Sequence, residues 1–288
     1  MVRAVPGERR GFAHTQHGNI EYRERGSGPT LVMLHNTPHS SARYSTLMPA
    51  LESDFRCVAI STPGYGESDR PPTPYETVEE FARAFTWILD DLGIRRAHLY
   101  GGQTGSQIGL SLAADYPERV DRLVLEEPFH WGTPSRREAH LRRHRYYPPR
   151  PDGGHLVDIW KRRGGDRPGT DVKKLSSMLI DFLLVNDDEG VEELYGGMGW
   201  EGAGPNAMTV WDTWEQVQRI QAPTLVIHGT ASELGRSHEK FLELIPNARG
   251  IRPPSGRKGD SSIAPQLWDP NSDLELWASE VKRFLLEE

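Results

Sequence analysis

Near neutral pH the side chains best placed to move a proton are histidines, followed by carboxylates whose surroundings perturb them. In this chain the candidates are His39, His130 and His155, with Glu126 and Glu127 side by side after an apolar run. His39 directly follows Asn36-Thr37-Pro38, and His155 closes Asp152-Gly153-Gly154-His155, so each sits where a loop can present an imidazole to a ligand. A structural role is equally open for both, and Glu126 counts as a third candidate because perturbed groups in clefts only point to function. His35 and His228 read as loop or strand-end histidines bonded to backbone, and His98 as a strand residue. Gly101-Gly102-Gln103-Thr104-Gly105 suits a tight turn better than a nucleotide site, and neither a metal-ligand spacing nor a phosphate-cradling loop occurs. No cofactor and no metal are therefore expected.

These residues need a scaffold, and the chain is long enough for one: 288 residues, 36% hydrophobic and 26% charged, fit one large α/β domain plus an insertion. The formal charge of -7 is too mild for a nucleic-acid partner, and no run approaches membrane-spanning length. The expected partner is a small-molecule substrate or ligand; the oligomeric state is not readable. Residues 1–10 carry charges without an apolar signal region, so the cytoplasm is the default location. Cys57, the single cysteine, lies in the apolar run Cys57-Val58-Ala59-Ile60 and reads as a small buried hydrophobe rather than a nucleophile.

Strands are predicted at Ile20–Arg25, Thr30–His35, Phe55–Ile60, Ala97–Tyr100, Val120–Leu125 and Pro223–His228. Between them lie predicted helices at Thr77–Leu92, Gly105–Tyr116, Ser237–Leu244 and Asp273–Leu286. In the first of these helices Val78, Phe81, Ala82, Phe85, Ile88 and Leu89 recur at three- and four-residue spacings, as an amphipathic helix requires. Alternation of this kind implies a mostly parallel sheet with helices on both faces and ligand chemistry at the strands' C-terminal ends. From about residue 130 to 206 the alternation stops, with helical stretches at Leu156–Arg162 and Val172–Val185. The expected division is a core of residues 1–129 and 207–288 with a helical cap of 130–206. The basic stretch Arg136, Arg137, Arg142, Arg143, Arg145 and Arg150 reads as a solvated face before it reads as an anion site.

Pro63-Gly64-Tyr65-Gly66-Glu67-Ser68-Asp69-Arg70-Pro71 resembles the loop after the fourth strand in α/β-hydrolases of the epoxide hydrolase and haloalkane dehalogenase type. Leu34-His35-Asn36-Thr37-Pro38, Tyr116-Pro117-Glu118-Arg119-Val120 and Thr224-Leu225-Val226-Ile227-His228-Gly229 resemble the same family in the same order. The resemblance implies the α/β-hydrolase fold and places a nucleophile in the pattern Gly-x-Ser-x-Gly. On those glycines that position holds Gln103, whose carboxamide bonds and positions water but is no useful nucleophile. A one-residue slip would offer Thr104 instead. The family's histidine position holds Arg257, which cannot act as a base but can clamp a carboxylate or pair with Glu126 or Glu233. The family's acid position holds Ser232, with Glu126-Glu127 at the alternative place.

What the resemblance leaves standing is an oxyanion hole of backbone N–H groups, from Thr104 and Thr37. Asn36 replaces a glycine there and adds polarity to the pocket, while Trp131 and Trp160 are candidate walls for a substrate. The leading expectation is an enzyme acting on a small organic molecule by oxyanion stabilisation with acid/base or water-directed chemistry. Lyase, cyclase, decarboxylase and direct hydrolysis all fit it. A binding protein without turnover is the alternative, and an ordinary ester or epoxide hydrolase comes third.

Overall fold

The computed structural model describes residues 6–131, 133–142, 144–187, 199–254 and 269–287. Eight strands form one sheet: β1 (Arg9–Thr15), β2 (Gly18–Arg25), β3 (Thr30–Leu34), β4 (Arg56–Ile60), β5 (Ala97–Gly102), β6 (Val120–Glu126), β7 (Thr224–Ile227) and β8 (Ala248–Ile251), in the spatial order β1-β2-β4-β3-β5-β6-β7-β8. β1 and β2 run antiparallel to their neighbours, and the six strands from β4 to β8 pair in parallel. The central strands are apolar throughout because both faces are covered. In β3, Val32 and Leu34 enter the hydrophobic cluster beneath α1 (Val78–Asp91) and α2 (Thr104–Asp115), while Leu31 and Met33 enter the cluster on the opposite side.

The helix expected at 77–92 is α1, capped at both of those residues. Thr77 accepts from the Glu80 N–H while the Glu80 carboxylate accepts from Thr77 N, a reciprocal capping box worth on the order of 1 kcal/mol. All six apolar positions of its periodic stripe are buried. Each large side chain so buried contributes about 1.5–3 kcal/mol, so packing rather than capping decides the helix.

Between β6 and β7 the described elements are helical: α3 (Pro134–Leu141), α4 (Gly154–Arg162), α5 (Val172–Leu184), α6 (Ala203–Val210) and α7 (Thr213–Gln216). Ile159, Leu175 and Phe182 form a small apolar cluster of their own there, and Trp160 packs on it. Of the basic stretch, Arg136, Arg142, Arg145 and Arg150 are exposed, Arg137 donates to Thr209, and Arg143 lies outside the described residues. The chain ends with α8 (His238–Leu244), β8 and α9 (Leu274–Leu285), whose Trp277, Val281 and Phe284 fill the second core face. No described helix is long and apolar enough to cross a membrane.

Candidate functional site

The end of β5 turns into α2 within one residue, and that residue is Gln103. Its backbone adopts φ 48°, ψ −106°, a left-handed conformation that a side chain with a Cβ resists. A Cβ added to Gly105 would lie 2.0 Å from the Leu34 carbonyl oxygen, and one on Gly101 would lie 2.5 Å from the Gly105 oxygen. Only glycine fits on either side, so the two glycines let the helix start against the sheet and push the strain onto Gln103. Such strain costs on the order of 1–3 kcal/mol and persists only where neighbours enforce it. Here Gln103 N–H donates to the Glu126 carbonyl at 2.8 Å, and Gln103 O accepts from Ser106 N–H at 2.9 Å. The sharp turn is thus centred on Gln103, while Thr104 is the first residue of α2; the alternative placement one residue on does not match the backbone.

The expected donors need one correction. Thr37 N–H, one half of the anticipated oxyanion hole, already donates to Thr104 Oγ1 at 2.7 Å. Sequence reasoning kept both N–H groups free because it considered only backbone, whereas the Thr104 hydroxyl reaches across from α2. Thr104 N–H has no hydrogen-bond partner among the described residues. The pocket therefore presents one backbone N–H and one hydroxyl polarised by another. Asn36 is 8% exposed, and its Oδ1 is buried with no partner among the described residues, a polar atom available to a ligand. His35 is structural: Thr62 N–H donates to its Nε2 at 2.8 Å, which leaves the proton on Nδ1 to reach the Asn36 carbonyl at 3.0 Å. Burial lowers its pKa to about 4, so it stays neutral while tying the loops after β3 and β4 together.

Glu126 closes β6 directly behind the turn. A Cβ on Gly102 would stand 3.5 Å from its Oε2. That oxygen accepts from the Tyr100 hydroxyl, and Oε1 meets Arg43 Nη2 at 3.2 Å. Trp277 Nε1 in turn donates to Tyr100 Oη at 2.9 Å. Burial pushes the Glu126 carboxyl above its ordinary range, more than Arg43 and Tyr100 pull it down. Glu127 carries the other strained backbone, φ 52°. Gln103 and Glu127 are the only non-glycine residues with positive φ among those described, and they cap adjacent strands. The Glu127 carboxylate accepts from Gly229 N–H at 2.8 Å and from Ser232 Oγ at 2.5 Å, so it fills the loop after β7 from the neighbouring strand.

The remaining candidates scatter. His39 is buried near α5, with Nδ1 3.7 Å from Asp181 Oδ2, and burial lowers its pKa despite that carboxylate. His155 accepts from Arg150 N–H at 3.1 Å and so completes its own turn at the start of α4. Trp160 is spent on the cluster with Ile159. Trp131 packs on Phe129, the ring centres 5.3 Å apart and the planes tilted by 45°, and lines an open cavity of about 310 Å³ with His130, Met208 and Trp211. Gln107 holds that loop by donating from Nε2 to the Phe129 carbonyl. His228 donates from Nε2 to the Pro128 carbonyl at 2.8 Å and faces His238 Nδ1 at 2.9 Å through its own Nδ1. Burial lowers its pKa to about 3, which makes it a structural spacer. Arg257 lies outside the described residues. Arg43, Tyr100 and Asp181 escaped the sequence reading; Asp181 alone left a signal, a charge inside the apolar run Leu179-Ile180-Asp181-Phe182-Leu183.

Residues 29–147 match the alpha/beta hydrolase fold family. Over 228 residues the chain is 33% identical to the 2-hydroxy-6-oxo-6-phenylhexa-2,4-dienoate hydrolase of Comamonas testosteroni, covering 73% of each. The chain belongs to the α/β-hydrolase fold family. It is also 33% identical over 126 residues to haloalkane dehalogenase 2 of Mycobacterium tuberculosis, a match that covers only 44% of either chain. Among solved structures it superposes on the enol-lactonase of Burkholderia xenovorans LB400, with a TM-score of 0.67 at 20% identity over 96% of this chain and 100% of that one. On E-2-(acetamidomethylene)succinate hydrolase the TM-score is 0.71 at 18% identity, over 96% and 99% of the two chains. Those structures share the fold of this chain.

Proposed function

We propose that this α/β-hydrolase-fold protein is an enzyme that transforms a small organic molecule without a covalent serine intermediate. In this reading all three catalytic positions of the family are replaced, by Gln103 at the turn, Ser232 in the loop after β7 and Arg257 beyond β8, and residues 130–206 form the cap. The observation that carries it is the strained backbone of Gln103, which holds a half-buried carboxamide at the end of the central strand beside the Thr104 N–H. The Gln103 carboxamide positions a water or a substrate oxygen. The Thr104 hydroxyl, polarised by Thr37 N–H, donates to developing negative charge together with Thr104 N–H. Glu126 is the acid or base within reach of this turn, and Asn36 and Trp131 contact the substrate. The Comamonas relative is named for a hydrolase of an oxo-dienoate, which supports a small organic acid as substrate.

A serine-reactive fluorophosphonate tests the mechanism. The expected result is no labelling of the wild type, combined with conversion of a component of a metabolite extract that Gln103→Ala abolishes. Labelling of the wild type, or conversion indifferent to Gln103→Ala, would overturn it. One observation favours the second reading, a binding protein without turnover: Thr104 Oγ1 occupies a donor that an oxyanion would otherwise use. Retention of a ligand without chemical change would select that reading.

A further inference from the structure

The loop between β3 and β4 and the helix α5 enclose a second cavity, of about 330 Å³, at the seam between the sheet and the helical segment. Most of the charges that line it are matched. Glu21 is held by Arg10 and Arg23, Glu67 by Arg10, and Lys174 bonds Asp269. Asp181 lies beside His39. Arg43 pairs with Glu126 and lies near Asp269, but its hydrogen-bonding donors are less fully used. Its guanidinium carries five N–H donors, and its contact with Glu126, at 3.2 Å, is long for a charge-assisted bond. Its Nε is buried with no partner among the described residues, and so is Ser45 Oγ, two residues along on the same cavity-lining turn. Buried groups of this kind are rarely left unsatisfied in a working protein. The wall from α5 sets the apolar side chains of Met178, Ile180 and Leu184 among Lys174, Ser177 and Asp181.

We infer that this seam cavity binds a small organic monocarboxylate, its carboxylate on Arg43 and Ser45 and its short apolar body against Met178 and Leu184. The size suits a ligand of this class, since small-molecule sites begin at about 300 Å³. Arg43 is well suited to the role because a planar guanidinium recognises a carboxylate with two parallel bonds. Arg43 links the cavity to Glu126, but the inference stands whether or not Gln103 does chemistry.

The test is calorimetric titration of the full chain with hexanoate and with its neutral counterpart hexanamide. Hexanoate is expected to bind at least about tenfold more tightly, the ratio that one charge-assisted hydrogen bond supplies. Ser45→Ala is expected to weaken hexanoate several-fold, and Met178→Trp, which fills the apolar end, to weaken both ligands. Arg43→Gln is a less suitable variant because it strands the buried Glu126. Equal binding of acid and amide, absence of binding by both, or hexanoate affinity unchanged in Ser45→Ala and Met178→Trp would each overturn the assignment.

Discussion

Glu201 and Glu126 are both buried carboxylates, one in the helical segment and one behind the Gln103 turn, and their surroundings push them in opposite directions. Glu201 meets His144 Nδ1 at 2.7 Å, Arg163 at 2.9 Å and Arg162 at 3.0 Å. Burial opposes its charge, but Arg163, His144 and Arg162 outweigh that and hold its carboxyl far below the usual range. Glu126 has a single cation, at a longer distance, and burial prevails. On the proposed function, the difference separates construction from chemistry. A carboxylate surrounded by cations is fixed as an anion and pins helices together; one that is under-supplied keeps its proton within reach, as a group that exchanges protons must.

The largest effect expected from this contrast is at Glu201. Glu201→Gln leaves Arg162 and Arg163 without their anion and is predicted to destabilise the protein by about 3–5 kcal/mol in urea denaturation. Glu126→Gln, which keeps the shape and one acceptor oxygen but turns the other into an NH2 donor, is predicted to cost less, about 1–2 kcal/mol. If the two costs are equal, the contrast fails. The pH dependence follows with opposite signs. Because the folded pKa of Glu201 is depressed, its contribution is present above the unfolded value of about 4.5 and is lost as pH falls towards its folded pKa. The folded pKa of Glu126 is raised, so its contribution is present below about 4.5 and is lost as pH rises through its folded pKa. The acid-side slope of stability should therefore flatten in Glu201→Gln.

Thr104→Val removes the acceptor of Thr37 N–H and is predicted to cost about 1–2 kcal/mol, with Thr104→Ser largely neutral. Equal losses in the two would mean that the hydroxyl bond contributes nothing. The smallest predicted change is a gain. Gln103→Gly relaxes a left-handed backbone and should raise stability by about 1 kcal/mol, because glycine takes positive φ without strain. A loss would show that the Gln103 side chain contributes packing that outweighs the strain.

The sheet and its main helices were readable because their apolar periodicity is unbroken. Val78 through Leu89 gave α1 to its caps, and the buried run from Leu31 to Leu34 gave β3. β1 and β8 went unread for the converse reason. They are edge strands, and Arg9-Arg10-Gly11 and Ala248-Arg249-Gly250 show little of the apolar pattern that burial imposes on the centre. The glycines around Gln103 located the turn, since their spacing reflects a local steric demand. The bond from Thr37 to Thr104 and the contact of Arg43 with Glu126 join residues 67 and 83 positions apart, and no local pattern encodes such pairs.

The most direct test is untargeted mass spectrometry of a metabolite extract incubated with the wild type and with Gln103→Gly, both checked for folding by their denaturation midpoints. Consumption of at least one species by the wild type and none by the relaxed variant is the predicted result. Identical profiles for the two proteins, or ligand retained without turnover by the wild type, would contradict the claim that Gln103 is held under strain for catalysis.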